Sequence, residues 1–564
     1  MGIRSHFTRA AYRTVGKLLA NRDSHEPGAK WYPTCFGKNF LYHPMFEAPD
    51  GEAYFAKYHA EKLENPLTPT FKRFKADILK GRRYGAGKWH AIKVGEPSAL
   101  PYAITGVDMH RPAGNFTVKL KVCGRELNLG GLAAERFYYL PIREPGDIQF
   151  YADQELIIAN AIPLQQARSH DVPMAMVIFV DNFGWDVLKR IDVSTELPNI
   201  HRFFSKGLTF DNCHSSSNWT LAGAGSIFSG LALSHHGMFH NARTDMFLGD
   251  GYQVLPEYFQ KDGYLTFHSG GNSRMTPAYR YTQGFDRTVY RPDMPLCEVL
   301  DVLYDHLRAF PDRDHFIWLT IMDAHHTLAA VPDVANQLGA PLEAQDYRKD
   351  NLKSPMQKRF DTRAAARYVE ELKRIDFALG SLFTLLESRY ADDEMMVSLV
   401  ADHGPGFLTE DNHSLSHEKT HVAWMLRGRG VPQSRTNELV HVTDILPTIL
   451  TLNGYRSVND IDGRLPAVLG GNDPRSFVLA EIKFPGQRYE AAIKDDAFEF
   501  YLKTHASVDD AGTVDLSAYE TELFLIGNWS QDVSAEHPDV IRRYADYVID
   551  VVTNAARRGN LTTS

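Results

Sequence analysis

The chain has 564 residues, 43% of them hydrophobic and 23% charged, with a formal net charge of -9. That length exceeds what one ordinary hydrophobic core organises, so two or three domains are expected. The charge balance gives no electrostatic reason to bind nucleic acid, and the composition is that of a soluble globular protein.

At the N-terminus Arg4, Arg9, Arg13 and Lys17 alternate with Ile3, Phe7, Val15, Leu18 and Leu19. No unbroken apolar stretch forms, so neither a signal peptide nor a transmembrane segment is expected. The four cysteines, Cys35, Cys123, Cys213 and Cys297, show no C-x-x-C pair. Reduced thiols and a cytoplasmic location follow, with peripheral membrane association through a basic amphipathic helix as the other reading. Further on, Phe116, Val118, Leu120 and Val122 alternate with polar residues, and strand-like runs recur at 137–142, 148–151 and 156–158. The period of two predicts an N-terminal arm followed by a β-rich accessory domain over residues 1–170, whose position suggests glycan recognition.

From Met174 the pattern changes to apolar strands followed by helices, which predicts an α/β fold with a mostly parallel sheet covered by helices over 171–455. Residues 175–180 end at Asp181, residues 316–322 at Asp323 with His325 and His326 beyond, and residues 395–400 at Asp402-His403-Gly404. Acids and imidazoles thus stand at the carboxyl ends of buried strands, where open α/β sheets place ligands. Leu372, Ile375, Leu379, Leu382 and Leu386 mark a helix that covers the sheet. Residues 456–564 are expected to form a small C-terminal subdomain ending in a helix near 537–557.

Asp181, Thr220, Asp402 and His403 offer oxygen and nitrogen donors suited to a divalent cation such as Mn, Zn, Mg or Ca. Thr220 opens a segment of small residues, so a helix N-terminus would favour a developing alkoxide there. A plain N-cap threonine is the alternative. His413, His417, Lys419 and His421 lie in a segment rich in titratable groups. There His413 and His325 are candidates for catalysis or, with Asp323 or His326, for a second ion; Asn218, His326, His417 and Lys419 are candidates for binding substrate oxygens.

In order along the chain, Met176–Asp181, Leu197–Ile200, Trp219-Thr220, Gly284–Asp286, Asp323–His325, Asp402–Gly404 and His413–Leu415 resemble the sulfatase-like branch of the alkaline phosphatase superfamily. The resemblance covers roughly residues 171–530. It implies a metal at Asp181, Asp402 and His403 and a nucleophile at Thr220. Sulfatases of that branch carry Cys or Ser at the nucleophile, followed by Pro and Arg, where this chain has Thr220, Ala222 and Ala224. The threonine looks like that of lipoteichoic acid synthases, phosphoethanolamine transferases and related phosphodiesterases. The resemblance therefore implies a metal-dependent hydrolase of phosphodiesters or phosphomonoesters working through phospho-threonine, its partner a small-molecule, glycan or lipid phosphate ester. A head-group transferase, a sulfuric ester hydrolase and a catalytically silent binding protein are the alternatives. Arg274, Arg280 or Lys419 could supply the anion contact that Ala224 lacks.

Overall fold

The structure is a computed structural model describing residues 45–47, 53–56, 76–105, 117–325 and 362–561, apart from 123, 131, 133–136, 165–167, 240–245, 250, 273, 292–293, 409–412, 457 and 459. The N-terminal basic segment, Phe116, Cys35, Cys123 and His326 lie outside the described residues.

In chain order the elements that build the site are strand β1 (Ala76–Tyr84), strand β2 (Met174–Val180), helix α1 (Thr220–Ser229), and strands β3 (Leu265–Gly270) and β4 (Arg287–Tyr290). Helix α2 (Leu296–Ala309), strand β5 (His315–Ile321), helix α3 (Thr362–Arg389), strand β6 (Met395–Val400), the short helix α4 (His417–Thr420) and strand β7 (Trp424–Gly428) follow. Every residue of β2, β5 and β6 is buried. Their continuous apolar runs reflect helices packed on both faces of the sheet, because only a strand covered on both sides has no polar face to alternate.

Strands β4, β3, β5, β2 and β6 pair in parallel in that order, and β7 closes antiparallel on β6. The sheet is therefore mixed: parallel at the centre, where the apolar strands lie, and antiparallel where β1 joins β4 and β7 joins β6. The parallel register sets Val180 beside Ile321 and Phe179 beside Val400. Asp181, Asp323 and Asp402 consequently emerge on one edge of the sheet. The expected stripe of α3, from Leu372 to Leu386, is buried, while Phe377 is 82% exposed on the opposite face.

The N-terminal strands do not stand apart from this sheet. Strand β1 pairs antiparallel with β4 and carries further N-terminal strands with it into a 15-stranded sheet. Four others, Trp89–Val94, Val118–Val122, Arg125–Leu129 and Gly146–Ala152, form a separate antiparallel sheet around buried Val118, Leu120, Ile148 and Phe150. At the junction the Arg287 guanidinium donates to both Asp77 oxygens, at 2.9 and 3.1 Å. At the other end, strands β8 (Val478–Ile482), β9 (Arg488–Lys494), β10 (Phe498–Ser507) and β11 (Tyr519–Leu525) form an antiparallel meander covered by helix α5 (Pro538–Leu561). Tyr544, Val548 and Phe500 join in its core. Among the described residues no helix is long and apolar enough to cross a membrane.

The Asp77–Arg287 pair is nearly buried, with 6% and 14% of the two side chains exposed. Removing one partner strands a buried charge, so Asp77→Ala is expected to cost about 3–5 kcal/mol. Denaturant unfolding measures this; an unchanged midpoint would contradict the reading of the pair as the junction's anchor.

Candidate active site and metal centre

Asp181 is fully buried and follows β2 directly. The next residue, Asn182, has φ of 67°, the left-handed region that asparagine enters more readily than most residues. This bends the chain so that its N–H donates to Asp402 Oδ1 at 3.1 Å. Buried Tyr368 of α3 locks the bend: its hydroxyl donates to the Asn182 carbonyl and accepts the Gly184 N–H at 3.1 Å. Two carboxylates from separate strands are thereby held together in the interior.

Thr220 is the first residue of α1, and the cap position belongs to Trp219, whose backbone is extended at φ -153° and ψ 154°. The threonine hydroxyl is thus not occupied in capping. It donates to Asp181 Oδ2 at 3.1 Å and lies 3.4 Å from His403 Nε2. All ten residues of α1 are buried, and the small ones allow the helix to press on the end of β6. A Cβ on Gly223 would lie 2.7 Å from the Asp402 carbonyl oxygen. The approach to Thr220 is fixed from the C-terminal meander, where Ser217 Oγ donates to the Glu481 carbonyl at 2.6 Å and Trp219 meets Phe484 edge-on.

Burial pushes the Asp181 carboxyl well above its ordinary range, and the neighbouring Asp402 charge pushes it further. Hydrogen bonds from Thr220 and Asn272, and the Arg274 guanidinium, oppose this. Asp181 Oδ1 and Asp402 Oδ2 are buried without any hydrogen-bond donor. His403 completes the set. Its Nδ1 lies 3.3 Å from the Gly404 carbonyl, which can only accept, so the hydrogen sits on Nδ1 and Nε2 presents a lone pair. That Nε2 stands 3.5 Å from Asp181 Oδ1 and 3.4 Å from Asp402 Oδ2. Converging lone pairs in a water-poor interior suit a divalent cation, which Asp181, Asp402, His403 and Thr220 could hold. His325 brings a ligand atom into the same space as Asp181 and His403, its ring 6.1 Å from that of His403.

Other residues singled out in the sequence have the following partners. Asp323 accepts from the Leu296 N–H at the start of α2 at 3.0 Å, and from Arg374. His413 stacks on Tyr501 at 4.1 Å and bonds Glu522 at 3.2 Å, and it joins neither group of clustered ligands among the described residues. Among the described residues Asp323 and His413 share no cluster of ligand atoms, and His326, another candidate for the second ion, lies outside them. Lys419 donates to the His413 carbonyl at 2.7 Å, and Asn218 donates to the Ser414 carbonyl at 2.7 Å. His417 faces Asp186 and Glu499. Arg280 lies over Phe247, so Arg274 is the cation that acts on Asp181. Ala224 is buried within α1. Asn272, which donates to Asp181, was not anticipated; it stands two residues beyond β3, at the same sheet edge as the acids, but an amide does not titrate and gives no charge signal.

Residues 173–455 match the family model described as Sulfatase. Among curated proteins the chain is similar to N-acetylgalactosamine-6-sulfatase of Canis lupus familiaris, 22% identical over 373 residues, covering 56% of this chain and 70% of that one. Among solved structures it is similar to the phosphonate monoester hydrolase of Agrobacterium radiobacter, with TM-score 0.53, 15% identity and coverage of 68% of this chain and 96% of that one. The phosphonate monoester hydrolase of Silicibacter pomeroyi gives TM-score 0.53 and 17% identity over 69% and 96%. At these identities the structural likeness shows the fold.

With divalent cations chelated, the raised Asp181 pKa contributes stability that is complete below the ordinary value of 3.8 and is lost as pH rises through the raised value. Asp181→Asn removes that dependence, so the variant should gain on the wild type as pH goes from acid to neutral. Denaturant unfolding in chelator checks this, and a pH-independent difference between the two proteins would refute it.

Proposed function

The chain belongs to the sulfatase family, and from that premise we propose that it is a metal-dependent hydrolase of phosphate esters that works through a covalent intermediate on Thr220. The observation that carries the proposal is the Thr220 hydroxyl itself. It lies at the positive end of a buried helix, bonded to Asp181 and 3.4 Å from His403 Nε2. A bound cation would supply positive charge beside that oxygen and favour its ionised form.

Thr220 Oγ1 passes its proton to the Asp181 oxygen it is bonded to and attacks phosphorus. The new bond forms in line with the departing ester oxygen, which leaves as an alcohol once protonated. His325, partly exposed beside His403, would give that proton. Water then attacks the phospho-threonine, the bond between phosphorus and Oγ1 breaks, and the hydroxyl is restored. Phosphoryl transfer asks mainly for positioning and charge neutralisation, which this set supplies. A glycan or lipid hydroxyl in place of the water would make the same site a transferase.

A sulfuric ester hydrolase is the second reading, supported by the curated sulfatase relative. Threonine argues against it chemically. Oxidation at its Cβ gives a ketone rather than an aldehyde, so the hydrated aldehyde that eliminates sulfate cannot form.

Thr220→Ala is expected to lower turnover of aryl phosphate diesters and monoesters by several orders of magnitude, with the circular dichroism spectrum and metal content retained. Thr220→Ser should keep measurable activity. Steady-state kinetics on phosphate and sulfate esters in parallel decide the matter: full activity in the alanine variant, or turnover of sulfate esters alone, would overturn the proposal.

A further inference from the structure

The turn that begins at Asp181 carries a second carboxylate, Asp186, into a different cluster. Asp186 Oδ1 stands 3.0 Å from His421 Nδ1 and 3.7 Å from His417 Nε2. The three residues each bring one ligand atom within 4.8 Å of the others. His417 and His421 flank one turn of α4, and the i, i+4 spacing puts both rings on one face.

The hydrogen bonds on the far side of each ring decide what faces Asp186. His421 Nε2 lies 2.9 Å from the Asp211 carbonyl, which can only accept, so the hydrogen is on Nε2. His417 Nδ1 lies 3.1 Å from Glu499 Oε1. Glu499 is fully buried, receives the Trp529 N–H at 2.6 Å and the Tyr501 O–H at 2.9 Å, and has the Lys494 ammonium 3.9 Å away. It is an acceptor, so His417 carries its hydrogen on Nδ1. In neutral rings the remaining nitrogens, His421 Nδ1 and His417 Nε2, are bare lone pairs aimed at the same carboxylate oxygen.

Three facing acceptors repel unless a positive charge lies among them. Lys189 reaches Asp186 Oδ1 at 3.3 Å, but its side chain is 53% exposed and cannot satisfy the two imidazoles, which accept nothing from it. A proton on one ring would place an imidazolium against a second imidazole and beside His214, whose ring stacks on His421 at 5.0 Å and whose buried Nδ1 has no hydrogen-bond partner. We propose that Asp186, His417 and His421 form a second metal site, distinct from the Asp181 centre, that takes a borderline divalent cation such as Zn²⁺. Two imidazoles and one carboxylate are a zinc ligand set, and the outward bonds to Glu499 and the Asp211 carbonyl are the contacts that orient metal-bound histidines. Side-chain exposures of 13% at Asp186 and 18% at His417 leave a path for the ion and a position for a fourth ligand.

The site would act on the Asp181 turn from its far end. The Trp185 N–H donates to the His421 carbonyl at 2.8 Å, and Gly184 bridges Val422. An ion there joins this turn to α4 and, through Glu499, to the C-terminal meander.

The test is zinc stoichiometry by elemental analysis after chelation and dialysis against Zn²⁺. Wild type is expected to hold one equivalent more than His417→Gln and one more than Asp186→Asn, and His417→Gln is expected to remove one equivalent again in an Asp402→Asn background that impairs the other centre; that last arm separates this inference from the catalytic reading. Equal stoichiometry in wild type and both variants, with unchanged circular dichroism, overturns it. If the variants do not fold, crystals of wild type soaked in Zn²⁺ decide by anomalous scattering: a peak between Asp186, His417 and His421 supports the site, and a peak at Asp181 alone overturns it.

Discussion

Two carboxylates that face each other inside a protein need a positive charge between them, and this requirement shapes the centre of the molecule. Asp181 and Asp402 come from adjacent parallel strands and are both buried, each with one oxygen that receives no hydrogen bond. Burial and mutual repulsion raise the Asp181 pKa. A cation removes both penalties at once, and the imidazole of His403 already turns its lone pair toward the place such an ion would take.

The surrounding fold reads as the apparatus that keeps this pair together. The αL bend at Asn182, the Tyr368 hydroxyl beneath it and the close approach of Gly223 to the Asp402 backbone each fix one side of the centre. The C-terminal meander, beyond the matched residues 173–455, contributes by holding the segment that leads into Thr220. The proposed mechanism calls for such rigidity, since small displacements of the attacking oxygen cost rate steeply.

Much of this was legible in the sequence because the strongest signals were physical. The apolar runs before Asp181, Asp323 and Asp402 appear as parallel strands within a residue or so of their expected bounds, since full burial on two faces leaves no other pattern. The acids at their ends were therefore placed correctly in space. What each acid does was not legible: Asp323 has the same sequence context as Asp402 but is consumed by Arg374 and the start of α2. Rings in the 413–421 segment were similarly inseparable by composition. Their roles depend on what packs behind them, Tyr501 for His413 and Glu499 for His417, and those partners lie more than eighty residues away. The meander that supplies them escaped notice, although Phe498, Phe500 and Leu502 alternate along one of its strands.

The central claim is that the Thr220 oxygen performs the attack at this charge-neutralised centre. It is tested most directly by quenching the enzyme in acid during turnover of an aryl phosphate diester and sequencing its peptides by mass spectrometry. The account predicts a phosphoryl adduct on Thr220 that decays on further incubation with water or an acceptor alcohol. Steady turnover with Thr220 unmodified at every quench time would contradict it.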